Sequence, residues 1–131
     1  MNGMISQTFD LPMQDVVARL MEAIAAAPLG LVAHIDGQAN AAKRGITVGA
    51  DQILEVFRPD FAARVWQADK RAGIDIPLRI HVYESGGRVV VAHRSPAEVF
   101  APYANPALDD VSRDLAPLLA RVFAPLQPHA R

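Results

Sequence analysis

The chain contains no cysteine. Disulfides, cysteine-ligated zinc, iron–sulfur clusters and thiol catalysis are thereby excluded. Charge of one sign is equally lacking: 13 basic and 14 acidic residues leave a formal net charge of -1. Such a balance gives no long-range pull toward phosphate backbones or anionic lipid, and no block of like charge forms an interaction tail. Aromatic residues are only 6% of the chain. With no basic stripe to accompany them, nucleic-acid binding is not expected. No apolar run approaches the ~20 residues of a membrane span, and Met1 to Asp10 lacks the basic start and apolar stretch of a signal peptide. The expectation is therefore no membrane, no nucleic acid and a cytoplasmic location.

What is present suits one domain. At 131 residues the chain has room for a single core and can bury roughly two-thirds of its unfolded surface without staples. The expected core spans about residues 7–125, with loose ends at 1–6 and 126–131. Hydrophobic residues reach 51%, although much of that is alanine, which adds helix propensity more than volume.

Punctuation divides the chain clearly. Gln7 to Leu11 reads as a short edge strand. Val16, Val17, Leu20, Met21 and Ile24 then recur at helical spacing, and Pro28 and Gly30 close that helix. Leu31 to Asp36 reads as a strand, Asn40 to Arg44 as one helical turn, and Gln52 to Phe57 as a second strand rich in β-formers. Pro59 opens a helix with Phe61 and Trp66 expected inside it; Lys70 and Arg71 suit its last turn and Gly73 a left-handed cap. Pro77 to Glu84 and Arg88 to His93 flank Ser85-Gly86-Gly87, a strong hairpin signal, since such turns demand positive φ. Ser95-Pro96-Ala97-Glu98 is a capping box. Asn105-Pro106 starts the last helix, in which Pro117 is expected to make a kink or a break. The sum is an α+β domain: a two-layer arrangement, one mostly antiparallel sheet of about four to five strands, helices on one face.

With the elements placed, the chain resembles the bacterial "domain of unknown function 302" family from about Asp15 to Pro125. Gly30 to Asp36, Ala42-Lys43-Arg44-Gly45 leading into Gln52 to Phe57, Gly73-Ile74-Asp75-Ile76-Pro77-Leu78-Arg79-Ile80, and Ser95-Pro96 carry the resemblance. It departs from the common pattern at Gly37, where many members have His, and at Phe57-Arg58-Pro59, where many have Gly-Asn-Pro. The resemblance implies a two-layer domain, commonly a dimer, and no particular activity.

Strand alternation selects the candidate site. Successive side chains point to opposite faces. If Leu78, Ile80 and Val82 meet the helices, then Arg79, His81 and Tyr83 face away, and the same open face is expected to collect His34, Asp36 and Glu55. Three readings compete there. Arg79, His81 and Tyr83 could hold a carboxylate or phosphate. His81 with Asp36 or Glu55 could act as an acid/base pair, or His34, His81 and His93 with those carboxylates could ligate a first-row metal. The plain alternative is a solvated face with cross-strand ion pairs such as Arg79 with Glu55. No His-Glu-x-x-His spacing is present, and Ser6, Ser85, Ser95 and Ser112 lack a nucleophile elbow. The leading expectation is a non-catalytic binding module, a homodimer through the open face or a sheet edge, with a small polar or anionic ligand and no cofactor. A metal-dependent or acid/base enzyme using His34, Asp36 and His81 is the alternative.

Overall fold

A computed structural model describes residues 3–126. Five strands, β1 (Met4–Phe9), β2 (Gly30–Asp36), β3 (Asp51–Phe57), β4 (Leu78–Ser85) and β5 (Arg88–Arg94), form one sheet in the order β1-β5-β4-β3-β2. Every pairing is antiparallel. Helices α1 (Met13–Ala26), α3 (Pro59–Ala68), α4 (Pro96–Phe100) and α5 (Pro106–Phe123) make the second layer, while α2 (Gly37–Ala42) follows β2 directly. The α+β two-layer expectation holds.

The core follows from period-two and period-3.6 patterns meeting. Leu54, Val56, Ile80, Val82, Val89 and Val91 are buried on one sheet face, against Val16, Leu20 and Ile24 of α1, Val65 of α3 and Leu108, Val111 and Leu115 of α5. Each such side chain contributes roughly 1.5–3 kcal/mol by leaving water. Polar residues at the breaks fix the ends. Ser95 Oγ accepts from the Glu98 N–H at 3.3 Å, and Asn105 Oδ1 accepts from the Ala107 N–H at 2.9 Å. Asn105 also donates to the Ala68 carbonyl at 3.0 Å, which ties the end of α3 to the start of α5. Gly86 and Gly87, at φ 60 and 79, turn β4 into β5.

Several expectations need correction. β1 begins at Met4, so residues 4–6 of the expected loose lead are strand; of the expected tail, 127–131 lie outside the described residues. Pro117 does not split the last helix, which runs unbroken over Pro106–Phe123. A proline costs a helix interior ~3 kcal/mol, and Leu115, Leu119 and Val122, buried on both sides of it, outweigh that.

The α3 terminus also differs. The helix stops at Ala68 because Asp69 is extended and its carboxylate takes the Arg71 N–H at 2.9 Å. Lys70–Asp75 is then a short 3-10 segment. Gly73 has no positive φ. It is pressed against Trp66, whose indole nitrogen would lie 3.1 Å from a Cβ added there. Trp66, expected in the core, is 49% exposed, whereas Phe61 is buried. Five residues along a helix is about 140° of rotation, too far for both rings to share the inner face.

Candidate functional site

The open face of the sheet is built by the β3–β4 ladder. Asp51 pairs with Tyr83, Ile53 with His81, and Glu55 with Arg79. Paired residues share a face, so these six project away from the helices, while Leu54 and Ile80 between them are buried. Arg79, His81 and Tyr83 thus stand where alternation puts them. The Arg79 Nε donates to Glu55 Oε2 at 3.1 Å. His81 Nε2 lies 2.9 Å from Asp51 Oδ1, and its ring stacks on Tyr83 at 4.5 Å between centroids. Arg79 is largely exposed, so its ion pair contributes well under ~1 kcal/mol.

His34 and Asp36 are not part of this group, which corrects the expected six-residue cluster. His34 pairs with the core residue Leu54, and Asp36 with Gln52. Both therefore occupy the helix-side face. β2 is one of the two edge strands, and none of its residues is fully buried, so polar side chains stay wet there. His34 lies 2.5 Å from Gln52 Oε1. Asp36 caps α2 by accepting from the Ala39 N–H at 2.9 Å. The apolar Ala33 and Ile35 take the open-face positions instead, beside Glu55 and Ile53.

His93 is on the helix side as well, paired with Ile80 and Ile5. Its ring stacks on Phe123 at 3.9 Å. Burial pushes its pKa down, partly offset by a backbone hydrogen bond at Arg94. The three histidines expected as metal candidates thus occupy separate places. Among the described residues no group of three His, Asp or Glu side chains could hold a metal ion. The acid/base pairing of His81 with Asp36 is ruled out by the sheet between them.

Three site residues escape the sequence reading: Asp51, Ala92 and Arg94. Asp51 was legible in principle, being one residue beyond the assumed start of the strand and of the right parity. Ala92 and Arg94 required the β5 register. Ala92 pairs with His81, and Arg94 pairs with Met4 of β1. The small Ala92 side chain leaves a depression of about 210 Å³ on the open face, lined by Arg79, His81, Arg94, Met4 and Ile53 among others. Among the described residues no carboxylate lines it. The Arg94 guanidinium is exposed and has no ion-pair partner among them. Arg94 also borders a second depression that carries Asp75 and Glu98, but pairs with neither. The arrangement brings the guanidinium groups of Arg79 and Arg94 together with His81 and His93 beside an apolar floor, a donor set of the kind that charge-assisted hydrogen bonds to a small anion use.

No helix among the described residues is long and apolar enough to cross a membrane. No curated protein matches the chain. A solved structure of an uncharacterised conserved DUF302 protein from Bacillus stearothermophilus is similar in fold, with a TM-score of 0.79 at 22% identity over 92% of this chain and 95% of that one. The family model described as "Domain of unknown function DUF302" matches residues 5–126. With nearly every described element inside that match, the chain belongs to the DUF302 family.

Proposed function

We propose that this domain is a non-catalytic binding module that holds a small anion, a carboxylate or phosphate, over Ala92 on the open sheet face. The observation that carries the reading is the depression between Arg79 and Arg94, whose described lining holds two guanidinium groups and the residues His81 and His93 but no carboxylate. Its volume lies below the ~300 Å³ at which ordinary ligand pockets begin, so the ligand is small. Charge-assisted hydrogen bonds from guanidinium are the strong, directional kind that such a ligand needs. Tyr83 acts by buttressing the His81 ring, and Glu55 competes with the ligand for Arg79. Calorimetric titration of the full chain with inorganic phosphate at low ionic strength tests this. Saturable binding that Arg94→Ala weakens by at least ~10-fold, with the circular dichroism spectrum unchanged, supports it. Binding that is absent, or indifferent to Arg94→Ala, overturns it.

A second reading concerns partners. The β2–β3 half of the same face is apolar, through Ala33, Ile35 and Ile53, with Ile35 42% exposed. That half suits self-association as a homodimer, leaving the cationic half open. Light scattering on Ile35→Glu against the parent chain tests it: a dimer that becomes monomeric supports the reading, and a parent chain that is already monomeric ends it.

A further inference from the structure

The sheet edge at β2 carries a feature that the anion site does not use. Leu31 pairs with Val56 and Ala33 with the next residue, Glu55. Val32 is thus the extra residue of a β-bulge, a device that re-aims a side chain. Val32 is 59% exposed and borders a cleft of about 300 Å³ between β2, α3 and the segment before β4. Trp66, Phe57, Pro59, Ala62 and Ile76 form its walls.

Two further observations show that the cleft is built rather than left over. First, Gly73 lies against the edge of the Trp66 indole, at a distance that no larger residue would tolerate without moving it. The glycine therefore leaves room for the ring in this position. Second, the one charged residue at the rim is already committed. Arg58 donates from Nε and Nη2 to Asp60 at 2.8 and 2.9 Å, and from Nη1 to the Pro28 carbonyl at 2.9 Å. Its guanidinium also lies over the Phe61 ring. A charged ligand would have to break that set of bonds. The indole N–H of Trp66, by contrast, has no hydrogen-bond partner among the described residues.

The geometry points to a second binding site here, for a small, neutral, flat aromatic molecule that carries one carbonyl or ether oxygen. The aromatic ring stacks on Trp66 and displaces water from the apolar walls, an exchange that favours flat, weakly hydrated surfaces. The oxygen accepts from the indole N–H. The volume sets the size: a cavity of about 150 Å³ takes one benzene ring, so this cleft takes one or two fused rings.

The chain contains a single tryptophan, so the indole N–H gives one resolved proton–nitrogen resonance that reports the cleft alone. The full chain is titrated with acetophenone, and with benzoate as its charged counterpart. The expected result is a saturable shift of that resonance with a dissociation constant on the order of 1 mM, fitting for so small a probe. Benzoate binds at least ~10-fold more weakly, because Arg58 is not free to meet it. Ala62→Phe fills the cleft, and Val32→Lys, at an exposed edge position that does not test the fold, charges it; each abolishes the shift. The proposal is overturned by a shift that does not saturate, by one that survives both substitutions, or by equal binding of benzoate. It is equally overturned if dilution of the protein alone moves the resonance, which would make the cleft a contact between copies of the chain.

Discussion

Ala92 stands directly across from His81 on the neighbouring strand, and the mismatch between a methyl group and an imidazole creates the depression on the open face. A larger residue at that position would level it. Ala92→Leu is expected to abolish phosphate binding and to cost about 1–3 kcal/mol of stability, since Ala92 is buried and the added methylenes crowd its neighbours. Calorimetry with phosphate and a urea melt check the two halves separately. Undiminished binding would place the ligand elsewhere.

Glu55 holds Arg79 through a single hydrogen bond at 3.1 Å. Glu55→Gln removes the competing charge and leaves the side-chain shape. The expected outcome is phosphate binding tightened by about 3- to 10-fold at low salt, an effect that fades as ionic strength rises. Titrations at two salt concentrations check it; weaker binding would show that Glu55 helps to position the site.

Burial against Phe123 lowers the His93 pKa. In the unfolded chain the same imidazole takes up a proton near pH ~6.5. Below that value, and above the folded-state value, the unfolded chain binds more protons, so acid favours unfolding. The stability tied to His93 is complete above about pH 6.5 and is lost as the pH falls toward the folded-state pKa. His93→Phe keeps a ring on Phe123 and removes this dependence. Urea melts from pH 7.5 to 5 should show the parent chain losing stability relative to His93→Phe; parallel profiles would contradict the assignment.

Gly87 turns the β4–β5 hairpin at φ 79. A Cβ there meets nothing within 4 Å, so the cost of Gly87→Ala is purely that of the backbone. About 1–2 kcal/mol is expected, which is about 4–7 °C in melting temperature for a domain of this size. Thermal denaturation followed by circular dichroism measures it, and an unchanged midpoint would mean that the turn relaxes to another type.

The sheet and its helices were largely legible because local rules and the final packing agree. The Gly86-Gly87 turn, the Ser95 cap and the alternation in β4 each need only a few adjacent residues. The site was half legible. Arg79, His81 and Tyr83 follow from the parity of one strand whose other face is plainly apolar. His34 and Asp36 were misplaced because β2 inverts the usual pattern, with its polar side chains on the helix-side face. That inversion is tolerable only at an edge whose residues stay partly exposed, and edge position is a property of strand order. Trp66 was misplaced for a different reason: it lies about 140° around α3 from the buried Phe61, so the two rings do not share the inner face.

Composition and short-range pattern by themselves determined the class of the protein: an α+β chain without thiols and with a net charge of only -1, strands and helices in a known order, one face of β4 apolar and the other polar. Those properties depend on residues near one another in the chain, where backbone sterics and hydrophobic periodicity act. Which strands became edges, which residue faces which across a ladder, and that Ala92 lies between two arginines were decided only by the tertiary structure. Pairings such as Ile5 with His93 join residues far apart in sequence, and only the burial of the whole sheet against its helices selects them.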